Sequence, residues 1–241
     1  MEYMKTHNGF TLIELLTVIA ITVILIGLVV GVASRIDTQN KERLLQATFA
    51  NLETALRQFA DSGYQYDLSR LSNQEMDFYN SHEYPPDCND YSVTDLRNEI
   101  APLLGVNLAN VTIEPWDAYE NEYSGCAAMC FFLNRVPESR QILSEMNPQF
   151  LTNEDRNGKK INIYIGIGSQ QRAYPLIRVL DPWGKTLRYD YYMSYQDFSR
   201  ISSGTLTDYY EFVTENKETF PVLSSAGPDG EWNTGDDITS R

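Results

Sequence analysis

Between Glu14 and Arg35 no position is charged, and apolar side chains fill nearly all of the stretch from Leu15 to Val32. Wound as a helix rising about 1.5 Å per residue, it covers the roughly 30 Å of hydrocarbon in a bilayer. The pattern predicts a membrane span over residues 10–34. A cleavable secretory signal would be shorter and would close on a small-x-small site. Here Gly27, Gly31 and Ala33 lead instead into Arg35 and a helical pattern that continues. Beyond that point the apolar residues thin to a stripe. Leu45, Phe49, Leu52, Leu56 and Phe59 recur every three or four positions, with Lys41, Glu42, Arg43, Glu53 and Arg57 between them. This is the period of an amphipathic helix with one buried face. One helix is predicted from about residue 11 to 61, stopped by Gly63, with its 35–63 half docking the stripe on a folded domain.

Residues 64–160 read as a variable insertion. Its first part, to residue 110, is polar and turn-rich, is broken at Tyr84-Pro85-Pro86-Asp87, and carries a predicted short helix from Thr94 to Leu104. Another short helix is expected after Pro137, and the apolar run Cys126 to Leu133 fits strand or helix alike. Strand signals dominate residues 161–241. In Ile161-Asn162-Ile163-Tyr164-Ile165-Gly166-Ile167 four isoleucines share one face at a period of two. Tyr174 to Leu180 and Thr186 to Tyr192 follow, and Asp181-Pro182-Trp183-Gly184-Lys185 between them supplies the Pro and Gly of a tight turn, so the pair reads as a hairpin. The predicted class is α+β, a long N-terminal helix packed on a small antiparallel sheet.

Charge narrows the function. The 241 residues hold 33 acidic and 19 basic side chains, a formal charge of −14, which argues against binding nucleic acid through its phosphates and makes cations the likelier partners. Three cysteines, Cys88, Cys126 and Cys130, are too few for a disulfide framework or a four-ligand zinc site. In an extracytoplasmic domain they allow one disulfide, and the three pairings stay open. A membrane-anchored extracytoplasmic enzyme is the rival reading, and little supports it. His7 and His82 are the histidines, no Gly-x-Ser-x-Gly or His-Glu-x-x-His occurs, and Gly166-Ile167-Gly168 lacks the rest of a dinucleotide loop. No catalytic residue is assigned.

Glu14 sits where the apolar run begins, a place where a carboxylate costs on the order of 3 kcal/mol unless it snorkels or is neutralised. Its surroundings, Gly9-Phe10-Thr11-Leu12-Ile13-Glu14, resemble the recognition pattern of type IV prepilins and pseudopilins. That resemblance implies a leader over residues 1–9, cut after Gly9 by a membrane-embedded prepilin peptidase that methylates Phe10. It implies a pilin-like fold and a pairing of Glu14 with the amino terminus of a neighbouring subunit. The leader is less basic than is usual in the family, and Gly31 stands where many relatives carry Pro.

Near the other end, Ser224-Ser225-Ala226-Gly227-Pro228-Asp229-Gly230-Glu231-Trp232-Asn233-Thr234-Gly235-Asp236-Asp237 crowds four acids among glycines. The spacing is not that of an EF-hand. It suits either solvated Asx-turns or a looser oxygen cage for a hard cation. The segment resembles the calcium loop of the major pseudopilin of type II secretion systems, and Asp181-Pro182-Trp183-Gly184 with its Tyr-rich strand resembles the corresponding turn of that family. The resemblance implies calcium bound by Asp229, Asp236 and Asp237 with carbonyls such as that of Ala226. It also implies a single-pass anchor in the bacterial inner membrane, a periplasmic domain, and partners comprising copies of itself, other pilin-like subunits, prepilin peptidase, the assembly platform and lipid. A minor pilin with an adhesive or initiating role is the alternative within the same family.

Overall fold

The computed structural model describes residues 12–67, 69, 73, 79, 83–87, 93–114, 123–155, 157–191, 205, 208 and 220–241, the side chains of 28–35, 93–95 and 123 excepted. Helix α1 (Leu12–Asp61) has the extent that the apolar period foretells. The chain divides into two compact units, Met1–Arg43 and Leu44–Arg241. In the second unit Leu45, Phe49, Leu52, Leu56 and Phe59 are all buried, as the stripe requires.

Around that stripe lie α2 (Val93–Leu103), α3 (Tyr123–Leu133) and α4 (Pro137–Glu145). The strands are β1 (Val111–Ile113), β2 (Leu151–Thr152), β3 (Asn162–Ile165), β4 (Arg172–Pro175), β5 (Arg178–Val179), β6 (Arg188–Asp190), β7 (Val222–Ser225) and β8 (Ile238–Thr239). Among the described residues they pair antiparallel in three small sheets, ordered β1-β3-β4, β2-β5 and β6-β7-β8. The α+β class and the long helix with small antiparallel sheets are as the sequence predicts.

Three local readings are resolved or revised. The run Cys126–Leu133 is helical, and from Ser124 to Leu133 every residue of α3 is buried. A helix enclosed on all sides has no polar face and so no period to read. The segment 64–160, read as a variable insertion, takes part in the core. Its Leu96, Ile100, Phe132 and Leu143 belong to the core, and β1 pairs with β3 from Val111 opposite Ile165 to Ile113 opposite Ile163. The pair around Asp181 is a corner rather than a full hairpin. After the Leu180–Thr186 bridge the strands part, β5 to β2 and β6 to β7, while residues 172–175 join β3. Tyr192, the expected end of the second strand, lies outside the described residues.

The core is rich in tyrosine, and this sets its response to alkali. Burial pushes the phenols of Tyr66 and Tyr189 well up and that of Tyr191 up to about 12 from an ordinary value of 10.0. Each keeps its proton in the folded state after the unfolded chain has lost it, so the folded state binds more protons in that interval. Their contribution to stability is complete below about pH 10 and is lost as the pH climbs through the folded values. Thermal melts near pH 9 and near pH 11.5 should show a clear fall in Tm at the higher value; equal Tm would contradict the burial of these rings.

Candidate functional site

Two regions carry the sequence-level site residues. Gly9 and Phe10 lie outside the described residues. Glu14 falls in the first turn of α1, where a carboxylate is favoured by the helix dipole. Its neighbours are apolar and bare: Leu12 is 81% exposed and Leu16 61%, and the exposed series continues through Ile26. Thr17 and Thr22 interrupt it, and each hydroxyl donates back to the carbonyl four residues earlier, 2.8 and 2.7 Å away. That hides the hydroxyls' polarity from whatever covers the helix. Among the described residues no helix is long and apolar enough to cross a membrane. The apolar run itself continues through 28–33, whose side chains lie outside the description.

The acidic loop is built outward from β7. Asp181 is buried, and its Oδ1 accepts the Trp183 and Lys185 backbone N–H groups, both at 2.9 Å, which closes the Asp-Pro-Trp-Gly turn. Its Oδ2 accepts the Ser225 hydroxyl at 2.6 Å, and Ser225 Oγ in turn accepts the Gly227 N–H at 3.1 Å. The turn thus anchors the root of the loop. Gly227 has φ +67, and a Cβ there would lie 2.1 Å from the Asp236 carbonyl oxygen, so only glycine lets the two ends of the loop close.

Within the loop Asp229 Oδ1 accepts the Glu231 N–H at 2.8 Å, an Asx-turn. Asp236 accepts the Thr234 hydroxyl at 2.5 Å and the Asp229 N–H at 3.0 Å, and these bonds lower its pKa, the hydroxyl most. Asp237 Oδ2 accepts the Asn233 N–H at 2.9 Å, whereas Asp237 Oδ1 is buried without a hydrogen-bond partner. Trp232 packs under Arg188, whose guanidinium carbon lies 4.2 Å from the ring centroid. The structure therefore brings Asp229 and Asp236 into one network, places Asp237 beside it, and leaves Ala226 buried at its root. Among the described residues no three His, Cys, Asp or Glu side chains are grouped so as to hold a metal.

Asp155, Arg178 and Ser225 escaped the sequence reading. Asp155 repeats the bonds of Asp181, accepting the Asn157 and Lys159 N–H groups at 2.9 Å. Arg178, buried, joins the two turns by donating to the Glu154 carbonyl at 2.8 Å and to the Thr186 hydroxyl. The available signal was a repeat, Asp155-x-x-Gly158-Lys159 and Asp181-x-x-Gly184-Lys185. Cys126 and Cys130 are buried free thiols on α3, and Cys126 Sγ accepts the Val179 N–H at 3.2 Å. Cys88 and His82 lie outside the described residues.

The family model for the prokaryotic N-terminal methylation motif matches residues 4–30, which covers the expected cut and the start of α1. No curated protein matches the chain. No solved structure matches it either. The chain thus carries a prepilin-type N-terminal methylation signal.

Proposed function

We propose that this chain is the subunit of a periplasmic pseudopilus or pilus-like fibre, processed at Gly9, anchored by a membrane span over 10–34 and used in type II protein secretion. The observation that carries the reading is the methylation motif running into an exposed apolar helix whose threonines are already satisfied. Such a surface needs lipid or other helices against it. Orientation follows the motif, with the folded unit outside the cytoplasm. Mass spectrometry of chain taken from native membranes should find residues 1–9 absent and one methyl group on Phe10. Persistent full-length chain would refute processing.

We further propose that the acidic loop takes calcium. Asp237 Oδ1, buried and without a donor, is the acceptor that a hard cation satisfies, and Asp229 and Asp236 would add side-chain oxygens with carbonyls near Ala226. Calcium would neutralise the loop's crowding and hold it on the β6-β7-β8 sheet. At about 100 times its dissociation constant it should stabilise the fold by roughly 2.7 kcal/mol, or about 5–10 °C in Tm. Differential scanning of the whole chain in detergent, with calcium and with chelator, reads this; identical melts would sink the calcium site.

A further inference from the structure

We propose that an arginine-bearing groove on the folded unit receives the acidic Gly227–Asp237 loop of a second copy of this chain, an inference that rests on the fibre-subunit reading above. The groove encloses about 520 Å³ between the α3–α4 link and β4. Phe131, Tyr174, Ile177 and Tyr64 give it an apolar and aromatic wall, and Arg135 and Arg140 stand on its rim. Arg135 is held over the Phe131 ring, its guanidinium carbon 4.7 Å from the centroid. Asp61 and Glu138 line the adjoining hollow that shares Arg135. Yet among the described residues neither arginine has a carboxylate within ion-pair distance.

Two exposed arginines beside an aromatic wall, one guanidinium lying over the Phe131 face, suit a carboxylate that brings an apolar neighbour with it, since the fork binds the acid while the rings take the rest. In a chain with 33 acids against 19 bases, such a spot complements the surface of its own kind. The loop offers four carboxylates, of which Asp229, Asp236 and Asp237 are engaged with loop donors while Glu231 is exposed beside Trp232. A divalent cation in the loop would still leave two negative charges. Groove and loop share no element: α3, α4 and β4 build one, β7 and β8 flank the other. A contact between them is therefore head to tail, the kind that propagates as a fibre wherever its rotation does not close a ring.

The test uses the full chain in bacterial membranes with a photoreactive benzophenone amino acid in place of Tyr174. Irradiation should give an adduct of two copies whose cross-linked peptides join position 174 to residues 227–240 of the second copy. R135E with R140E should cut its yield at least tenfold, and adding E231R should restore it. An adduct to another protein or another segment, a yield indifferent to the arginines, or no adduct at all would overturn the proposal. Loss of residues 1–9 and methylation of Phe10 in the same sample report on the fibre-subunit reading separately.

Discussion

Replacing Asp181 with Ala should lower the melting temperature of the folded unit by about 6–12 °C. The carboxylate is buried and satisfies three donors, the N–H groups of Trp183 and Lys185 and the hydroxyl of Ser225. Alanine leaves them without an acceptor in a space that admits little water, at a cost of about 1 kcal/mol or more each. A total near 3 kcal/mol corresponds to that shift for a domain of this size, at roughly 2–4 °C per kcal/mol. The damage should spread to the acidic loop, because Ser225 Oγ also accepts the Gly227 N–H. Asp181→Asn keeps one acceptor oxygen and should lose only about half as much stability. Scanning calorimetry of the three chains measures this, and an Ala variant that melts with the parent would show that the turn does not support the fold.

The same residue shows what was legible in the sequence. Asp-Pro-Trp-Gly announces a turn through its Pro and Gly, and the turn is there. That the flanking strands part into different sheets depends on Arg178 and on partners nearly thirty residues away, such as Leu151 opposite Val179, which no local pattern contains. The stripe of α1 was readable because one face is buried and the other wet, giving a period. The interior of α3, wholly enclosed, gave none. Residues 64–160 read as an insertion because their first part is polar and turn-rich, while the apolar residues that enter the core, Leu96 and Ile100 among them, are spread over several short elements. At the acidic loop the spacing suited Asx-turns and a cation cage alike, and the Asp229 bond to Glu231 is one such turn. Whether those oxygens gather round a cation is decided by side-chain rotamers, which a sequence does not encode one by one.

Glu14→Ala should leave removal of residues 1–9 intact and yet lower fibre yield by at least about 100-fold. Cleavage depends on the bonds around Gly9, which the substitution does not touch. Assembly is different, since packing α1 among other helices removes the Glu14 carboxylate from water along with the apolar surface of Leu12, Ile13, Leu15 and Leu16. A charge so enclosed demands an opposite charge, and under the proposed processing the new amino terminus on Phe10 of an adjoining copy would supply an ammonium. A pair worth about 3 kcal/mol in that setting corresponds to roughly 150-fold in association. Alanine removes the attraction but strands the ammonium of each neighbour, so the loss compounds along the fibre instead of being confined to one contact. Glu14→Gln, which keeps the length and a hydrogen-bonding oxygen but not the charge, separates the two causes: a charge requirement leaves it as defective as Ala, whereas a packing requirement lets it assemble. Sheared fibre recovered by sedimentation, compared with cleaved chain in the membrane fraction, gives both readings, and parental yield from Glu14→Ala would remove Glu14 from the assembly step.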